Sequence, residues 1–156
     1  MMYTCYMESP VGGLRLEGDG ERLHTIRFGT PPLPDDGPFK QSKAPFGEAI
    51  RQLSAYFSGS LKTFSLPIQI DGTPFQQQVW QALCEIPYGQ TASYGEIARQ
   101  IGRPGAARAV GGANHRNSLP IVIPCHRVVG AGGRLVGYGG GLHIKEALLD
   151  LERRHR

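Results

Sequence analysis

Apolar and polar residues alternate through three short stretches at the start of the chain, Tyr3 to Met7, Leu14 to Glu17 and Leu23 to Phe28. Pro10-Val11-Gly12-Gly13 and Gly18-Asp19-Gly20 separate them. Period-two patterning punctuated by glycine turns predicts a small antiparallel meander. Residues 29–45 are rich in proline, glycine and charge and have no period, so they are expected to form a loop. The period then lengthens. Phe46, Ala49, Ile50, Leu53 and Phe57 recur on one helical face, and Gly59 stands just past the expected end. Leu66, Ile68 and Ile70 return to alternation, with Pro67 pointing to a sheet edge. Asp71-Gly72 is read as the boundary between a domain of residues 1–71 and one of residues 72–156.

The second domain reads as mostly helical. Thr73-Pro74-Phe75-Gln76 combines a cap, a proline at the first helical position and a glutamine three residues after the cap, and predicts a helix buried through Phe75, Val79, Leu83 and Ile86. A second capping box, Ser93-Tyr94-Gly95-Glu96, opens a short helix that should stop at Gly102. After Gly102-Arg103-Pro104-Gly105, another helix is expected from Ala106 to about Asn114. Two short helices joined by a tight glycine turn are a helix-turn-helix candidate. On the last of them Ala106, Val110 and Ala113 would face inward, while Arg108, Gly112 and His115 face out. Two adjacent glycines cost a helix about 1 kcal/mol each relative to alanine, a cost understandable if something must approach the Gly111-Gly112 backbone closely. The plain alternative is a weak helix packed on a neighbour.

Charge sharpens this division. Residues 1–71 hold seven Lys/Arg against eight Asp/Glu, and residues 72–156 hold ten against five, so the second domain carries the positive balance expected of a polyanion-binding surface. With 156 residues, 40% hydrophobic and 19% charged, the chain is long enough for a packed core and too short for a multidomain machine. No apolar run reaches the roughly 20 residues of a membrane helix, and the N-terminus has no basic-then-apolar leader pattern. Cys5, Cys84 and Cys125 form an odd set without CxxC spacing, which argues for free thiols rather than a disulfide framework or zinc finger. A cytoplasmic protein is expected. Cys84, on a helix beside Leu83, is read as core.

The chemistry concentrates after Leu119-Pro120-Ile121-Val122-Ile123-Pro124, an apolar run that reads as a buried strand and leads into Cys125-His126-Arg127. A thiol with a pKa of about 8.5 needs a base or positive charge beside it to react as thiolate near neutrality, and this tripeptide offers both. A buried structural cysteine next to a surface histidine is the plain alternative.

From Thr73 to its end the chain resembles the O6-alkylguanine-DNA alkyltransferases. Pro124-Cys125-His126-Arg127-Val128 matches the active-site signature of that family. Arg108-Ala109-Val110-Gly111-Gly112-Ala113-Asn114, Asn117, Gly137-Tyr138-Gly139-Gly140-Gly141 and Lys145-Glu146 follow the family's order and nearly its spacing. The resemblance implies an α+β protein with a ribonuclease-H-like α/β N-terminal domain and a mostly helical C-terminal domain bearing a winged helix-turn-helix-like motif. It implies that Cys125 takes the alkyl group from guanine in one irreversible turnover, with His126 accepting the thiol proton through water and Glu152 orienting His126. Ile144, Leu148, Leu151 and Glu152 do share one side of the final helical pattern.

By the same resemblance Arg108 fills the space left by the flipped nucleotide. Tyr94 turns its phosphate and bonds to the guanine, and Ala107, Gly111, Gly112 and Arg116 lie along the DNA. Asn117 and Pro120 form the hinge between recognition helix and active site, and Val136, Tyr138 and Gly139 line the base pocket. Ser118 stands where many relatives have proline, Gly139 where some have serine, and Ala147 where tryptophan is common. The implied partner is duplex DNA carrying 6-O-alkylguanine, with 4-O-alkylthymine as a further candidate, bound by a monomer or by copies assembled along the DNA. No membrane partner, cofactor or metal is expected; Cys5 and His24 alone do not make the zinc set that some relatives carry. A non-catalytic lesion-binding protein would lack Cys125. A transcriptional regulator would ordinarily need a dimer and base-reading side chains, which the Gly111-Gly112 face does not supply.

Overall fold

The computed structural model describes residues 1–29 and 37–156, which form two compact units, Met1–Ile70 and Asp71–Arg156. Part of the expected 29–45 loop, residues 30–36, lies outside the described residues.

In the first unit β1 (Tyr3–Met7), β2 (Leu14–Gly18) and β3 (Leu23–Phe28) form the antiparallel meander that the alternation predicts. A two-residue strand, β4 (Lys40–Gln41), adds a parallel pairing to β1 that the unpatterned loop gave no sign of, for a sheet order β3-β2-β1-β4. A 3-10 turn at Ala44–Phe46 leads into α1 (Gly47–Phe57), which ends through Gly59 at φ +84°. The buried face of α1 is rotated from the expected one. Ala49, Gln52, Leu53 and Tyr56 are buried, whereas Ile50 and Phe57 are only half-buried. The turn made by Gln52 with Ser65 explains the rotation: its side chain accepts from Ser65 N–H at 2.9 Å and donates to the Ser65 hydroxyl at 3.1 Å, so a polar residue occupies the inner face without loss. Residues 66–70 form no full strand. They touch β3 through a single parallel bridge, Leu23 to Ile68, in which Leu23 N–H donates to the Pro67 carbonyl at 2.9 Å, a role that proline can fill.

The second unit opens with α2 (Pro74–Cys84), and both of its predicted capping bonds are present: Gln76 N–H to the Thr73 hydroxyl at 3.1 Å, and Thr73 N–H to Gln76 Oε1 at 3.0 Å. Its buried residues are Val79, Trp80, Ala82 and Leu83. Phe75 is half-buried, with the Arg103 guanidinium 5.8 Å from its ring centroid. Cys84, the last residue of α2, is exposed and not part of the core. A short strand, β5 (Ala92–Ser93), runs into α3 (Tyr94–Gln100), whose Ser93/Glu96 capping box also forms. Gly102 at φ +79° ends it, and α4 (Ala107–His115) follows. The indole N–H of Trp80 on α2 donates to the Ala113 carbonyl on α4 at 2.9 Å, fixing that helix from beneath.

The apolar run 119–124 is not a strand. It is a buried turn in which Ile123 N–H donates to the Leu119 carbonyl at 2.9 Å and Ile121 sits at φ +75°, a conformation rare for a β-branched residue. Hydrophobicity alone cannot separate a buried strand from a buried turn, and Pro120 and Pro124 remove two of the N–H groups a strand ladder would use. Beyond it a 3-10 turn at Cys125–Arg127, then β6 (Val128–Val129) and α5 (Leu142–His155) complete the unit. β6 pairs in parallel with β5, Ala92 opposite Val128 and Ser93 opposite Val129.

Candidate active site

Cys125 therefore stands at the head of a one-turn 3-10 helix and not at the end of a strand. The β5–β6 pairing holds this turn against the start of α3, whose first residue is Tyr94; burial raises the Tyr94 hydroxyl above its ordinary range, and the Cys125 sulfur, once ionised, raises it further. Asn117, just beyond α4, donates from its amide to the Ile123 carbonyl at 2.8 Å and accepts from Leu119 N–H at 2.9 Å. It thus fastens the end of α4 to both sides of the strained turn, and its side chain also reaches the Cys125 sulfur.

Burial pushes the Cys125 thiol up to about 11, against the opposing pull of Asn117, the Lys145 ammonium and Tyr138. The resting sulfur is protonated at neutral pH, and these three groups are placed to stabilise it once it ionises. Tyr138 is itself pushed well above the ordinary range by burial and by the neighbouring cysteine, so its hydroxyl remains a donor. Lys145 is fully buried, and its Nζ donates to the Val128 and Val136 carbonyls at 2.5 and 2.9 Å, tying the Val136–Tyr138 segment to the strand that follows the nucleophile.

His126 is not the surface residue of the plain reading. It is fully buried, and its Nε2 lies 2.6 Å from Glu152 Oε2. Burial lowers its pKa below the usual histidine value and outweighs the raising effect of Glu152, so the ring is neutral and can act as a base. Burial works against the Glu152 charge, but hydrogen bonds and charge from His126 and Arg127 overcome it and hold the carboxyl well below the usual range. Arg127 Nε and Nη2 meet Glu152 Oε1 and Oε2 at 2.8 and 3.1 Å, and its Nη1 donates to the Ile86 carbonyl at 2.7 Å. The guanidinium also sits 5.7 Å from the Tyr88 ring centroid. A buried carboxylate between an imidazole and a guanidinium is a satisfied charge cluster. Sequence reasoning read Arg127 as a positive charge beside the thiol and not as the partner of Glu152, and gave Lys145 no role beyond its place in a matched motif.

The remaining expected residues fall on the helix pair and the glycine-rich loop. Arg108, Gly112, His115 and Arg116 are exposed, Ala107 and Gly111 are half-buried, and Val110 and Ala113 are buried as the face arithmetic predicts. A Cβ at Gly111 would touch the Tyr94 ring at 3.8 Å, but one at Gly112 would meet nothing within 4 Å. Among the described residues no neighbour demands a glycine at position 112. Pro120 is buried in the strained turn, Val136 and Tyr138 are half-buried, and Gly139 is exposed. Among the described residues no group of three or more His, Cys, Asp or Glu is placed to hold a metal. No described helix is long and apolar enough to cross a membrane.

Residues 74–154 match the family model of the 6-O-methylguanine DNA methyltransferase DNA-binding domain, and residues 1–70 match that of the same family's ribonuclease-like domain. The chain belongs to the 6-O-methylguanine DNA methyltransferase family. Methylated-DNA--protein-cysteine methyltransferases of Mycobacterium leprae and Methanosarcina acetivorans are each 51% identical to it, over 98% and 97% of this chain and 93% and 98% of their own. The crystal structure of the Mycobacterium tuberculosis O6-methylguanine methyltransferase superposes with a TM-score of 0.91 at 48% identity, covering 100% of this chain and 95% of that one. The Mycobacterium tuberculosis OGT in complex with DNA gives the same TM-score and identity over 98% of this chain and 94% of that one. The methyltransferase family's α+β plan, sheet domain first and helical DNA-binding domain second, is the plan of this chain.

Proposed function

We propose that this protein repairs DNA by moving an alkyl group from O6 of guanine in a duplex onto Cys125, once per molecule. The observation that carries the reading is the fully buried His126, locked to Glu152 at 2.6 Å, immediately beside a buried cysteine whose sulfur is flanked by Asn117, Tyr138 and Lys145. His126 has Nε2 committed to Glu152, and its Nδ1 is buried without a hydrogen-bond partner. That nitrogen is the one left to take the thiol proton, directly or through a water, and Glu152 stabilises the imidazolium that forms. The thiolate attacks the alkyl carbon, a carbon–sulfur bond forms, and the carbon–oxygen bond breaks with its electron pair passing to the guanine. Guanine takes up one proton as it is restored, balancing the proton lost by the thiol. The thioether cannot revert, so each molecule acts once.

A recessed sulfur requires the damaged nucleotide to leave the stack, at a cost of a few kcal/mol. Arg108 projects from the exposed face of α4, where it can fill the vacated space, and bare Gly112 lets the helix approach the minor groove closely. Tyr94 turns the phosphate of the flipped nucleotide. Ala107, Gly111 and Arg116 lie along the strand, and Val136, Tyr138 and Gly139 line the base pocket. The protein binds as a monomer or as copies assembled along the DNA, in the cytoplasm.

Incubation with a duplex oligonucleotide bearing one 6-O-methylguanine, followed by intact and peptide mass spectrometry, tests this directly. The expected result is one methyl group per protein, on the peptide containing Cys125, with none on Cys125→Ser although that variant still binds the duplex. A wild-type protein that retains the oligonucleotide unmodified would make it a lesion binder and overturn the nucleophile.

A further inference from the structure

Gly89 is held from two directions. Its N–H donates to Glu152 Oε1 at 3.1 Å, and its carbonyl accepts from Arg156 Nη1 at 3.3 Å. Its φ of +79° is one that glycine adopts readily, and an added Cβ would stand 2.9 Å from Arg156 Cβ, so the Arg156 stem lies directly across it. Beside this contact is a cavity of about 390 Å³ lined by Gly89, Gln90, Thr91, Leu149, Arg153 and Arg156. Alkyl transfer uses none of these side chains.

The lining has a definite chemical sense. Its two charged side chains are both guanidiniums, and no lining residue carries a side-chain carboxylate. Two acids of α5 are committed elsewhere: Glu152 to His126, Arg127 and Gly89 N–H, and Asp150 to Arg154 at 3.3 Å. Arg153 has no ion-pair or hydrogen-bond partner among the described residues. Thr91 and Gln90 add a hydroxyl and an amide, and Leu149 an apolar wall. Two guanidinium forks with neutral donors beside them suit the oxygens of a phosphate, and the volume exceeds what a bare ion needs. We propose that this cavity binds a phosphate ester, its oxyanion between Arg153 and Arg156 and its organic part against Leu149. The ester is supplied either by a free nucleotide or by a nucleic-acid strand.

Backbone amide NMR of the full chain, titrated at constant ionic strength with a deoxynucleoside 5′-monophosphate and separately with an unmodified oligonucleotide, tests the site. A saturable shift of the Gly89, Gln90 and Thr91 signals by the mononucleotide, with Kd below about 1 mM, and its loss in an Arg153→Gln/Arg156→Gln variant, supports a free-nucleotide site. A silent mononucleotide, with the same signals moved by the oligonucleotide and restored by the double substitution, supports a strand site. Failure of both ligands to move these signals, or shifts that persist in the double variant, overturns the proposal. Methyl transfer from free 6-O-methylguanine to Cys125 should be unchanged in the double variant. That control keeps a misfolded variant distinct from a lost site, and the amide readout stands whether or not Cys125 is the acceptor.

Discussion

With Arg127 holding both oxygens of Glu152, the carboxylate that orients His126 is already neutralised, and His126 is free to rest as a neutral base. Replacing Arg127 by Met leaves Glu152 with His126 as its main charge partner. The positive charge that helps depress the His126 pKa is then gone, so that pKa rises. Because a base must be unprotonated to work, the acid limb of the pH–rate profile for transfer from free 6-O-methylguanine should move to higher pH. An unmoved limb would remove Arg127 from the site's electrostatics. Breaking a buried pair costs about 3–5 kcal/mol, so thermal melting should fall as well, with Arg127→Lys recovering part of both effects. None of this cluster beyond its motif was legible from residue patterns. A glutamate at the edge of an apolar stripe gives no sign of pairing with an arginine two residues past a cysteine until the fold brings positions 126, 127 and 152 together.

Elements were more readable where local chemistry decides them. Thr73/Gln76 and Ser93/Glu96 close their capping boxes within four residues, independent of tertiary context, and both form. The 119–124 run was misread because its conformation is imposed from outside: Asn117 grips it on both sides, and Ile121 is carried to a positive φ that no hydrophobic pattern encodes. β4 was missed because two residues carry no period. The helix pair gives a prediction at this scale. Arg108→Ala should slow repair in duplex DNA roughly 30-fold, equivalent to about 2 kcal/mol of the flipping cost, while leaving reaction with the free alkylated base unchanged. Stopped-time assays on the two substrates separate these effects, and equal losses on both would exclude a flipping role for α4.

Across the whole molecule, the positive balance belongs to residues 72–156, and residues 1–71 carry a slight negative one. If the basic unit binds phosphates, affinity for duplex DNA should fall about a hundredfold between 50 and 200 mM salt for about four neutralised phosphates, as a filter-binding series would show. A flat response would move the DNA surface elsewhere. The division into a sheet unit and a helical unit was legible because the hydrophobic period itself changes along the chain. The bond from Trp80 to the Ala113 carbonyl has a consequence of another kind. This is the chain's single tryptophan, 3% exposed and fastened to the helix that carries Arg108. The protein therefore contains its own optical gauge of α4: emission excited in the indole band reports one hydrogen bond, without a label. DNA docking that strains α4 against α2 should change that emission, whereas docking that leaves the bond intact should leave it dark to the event.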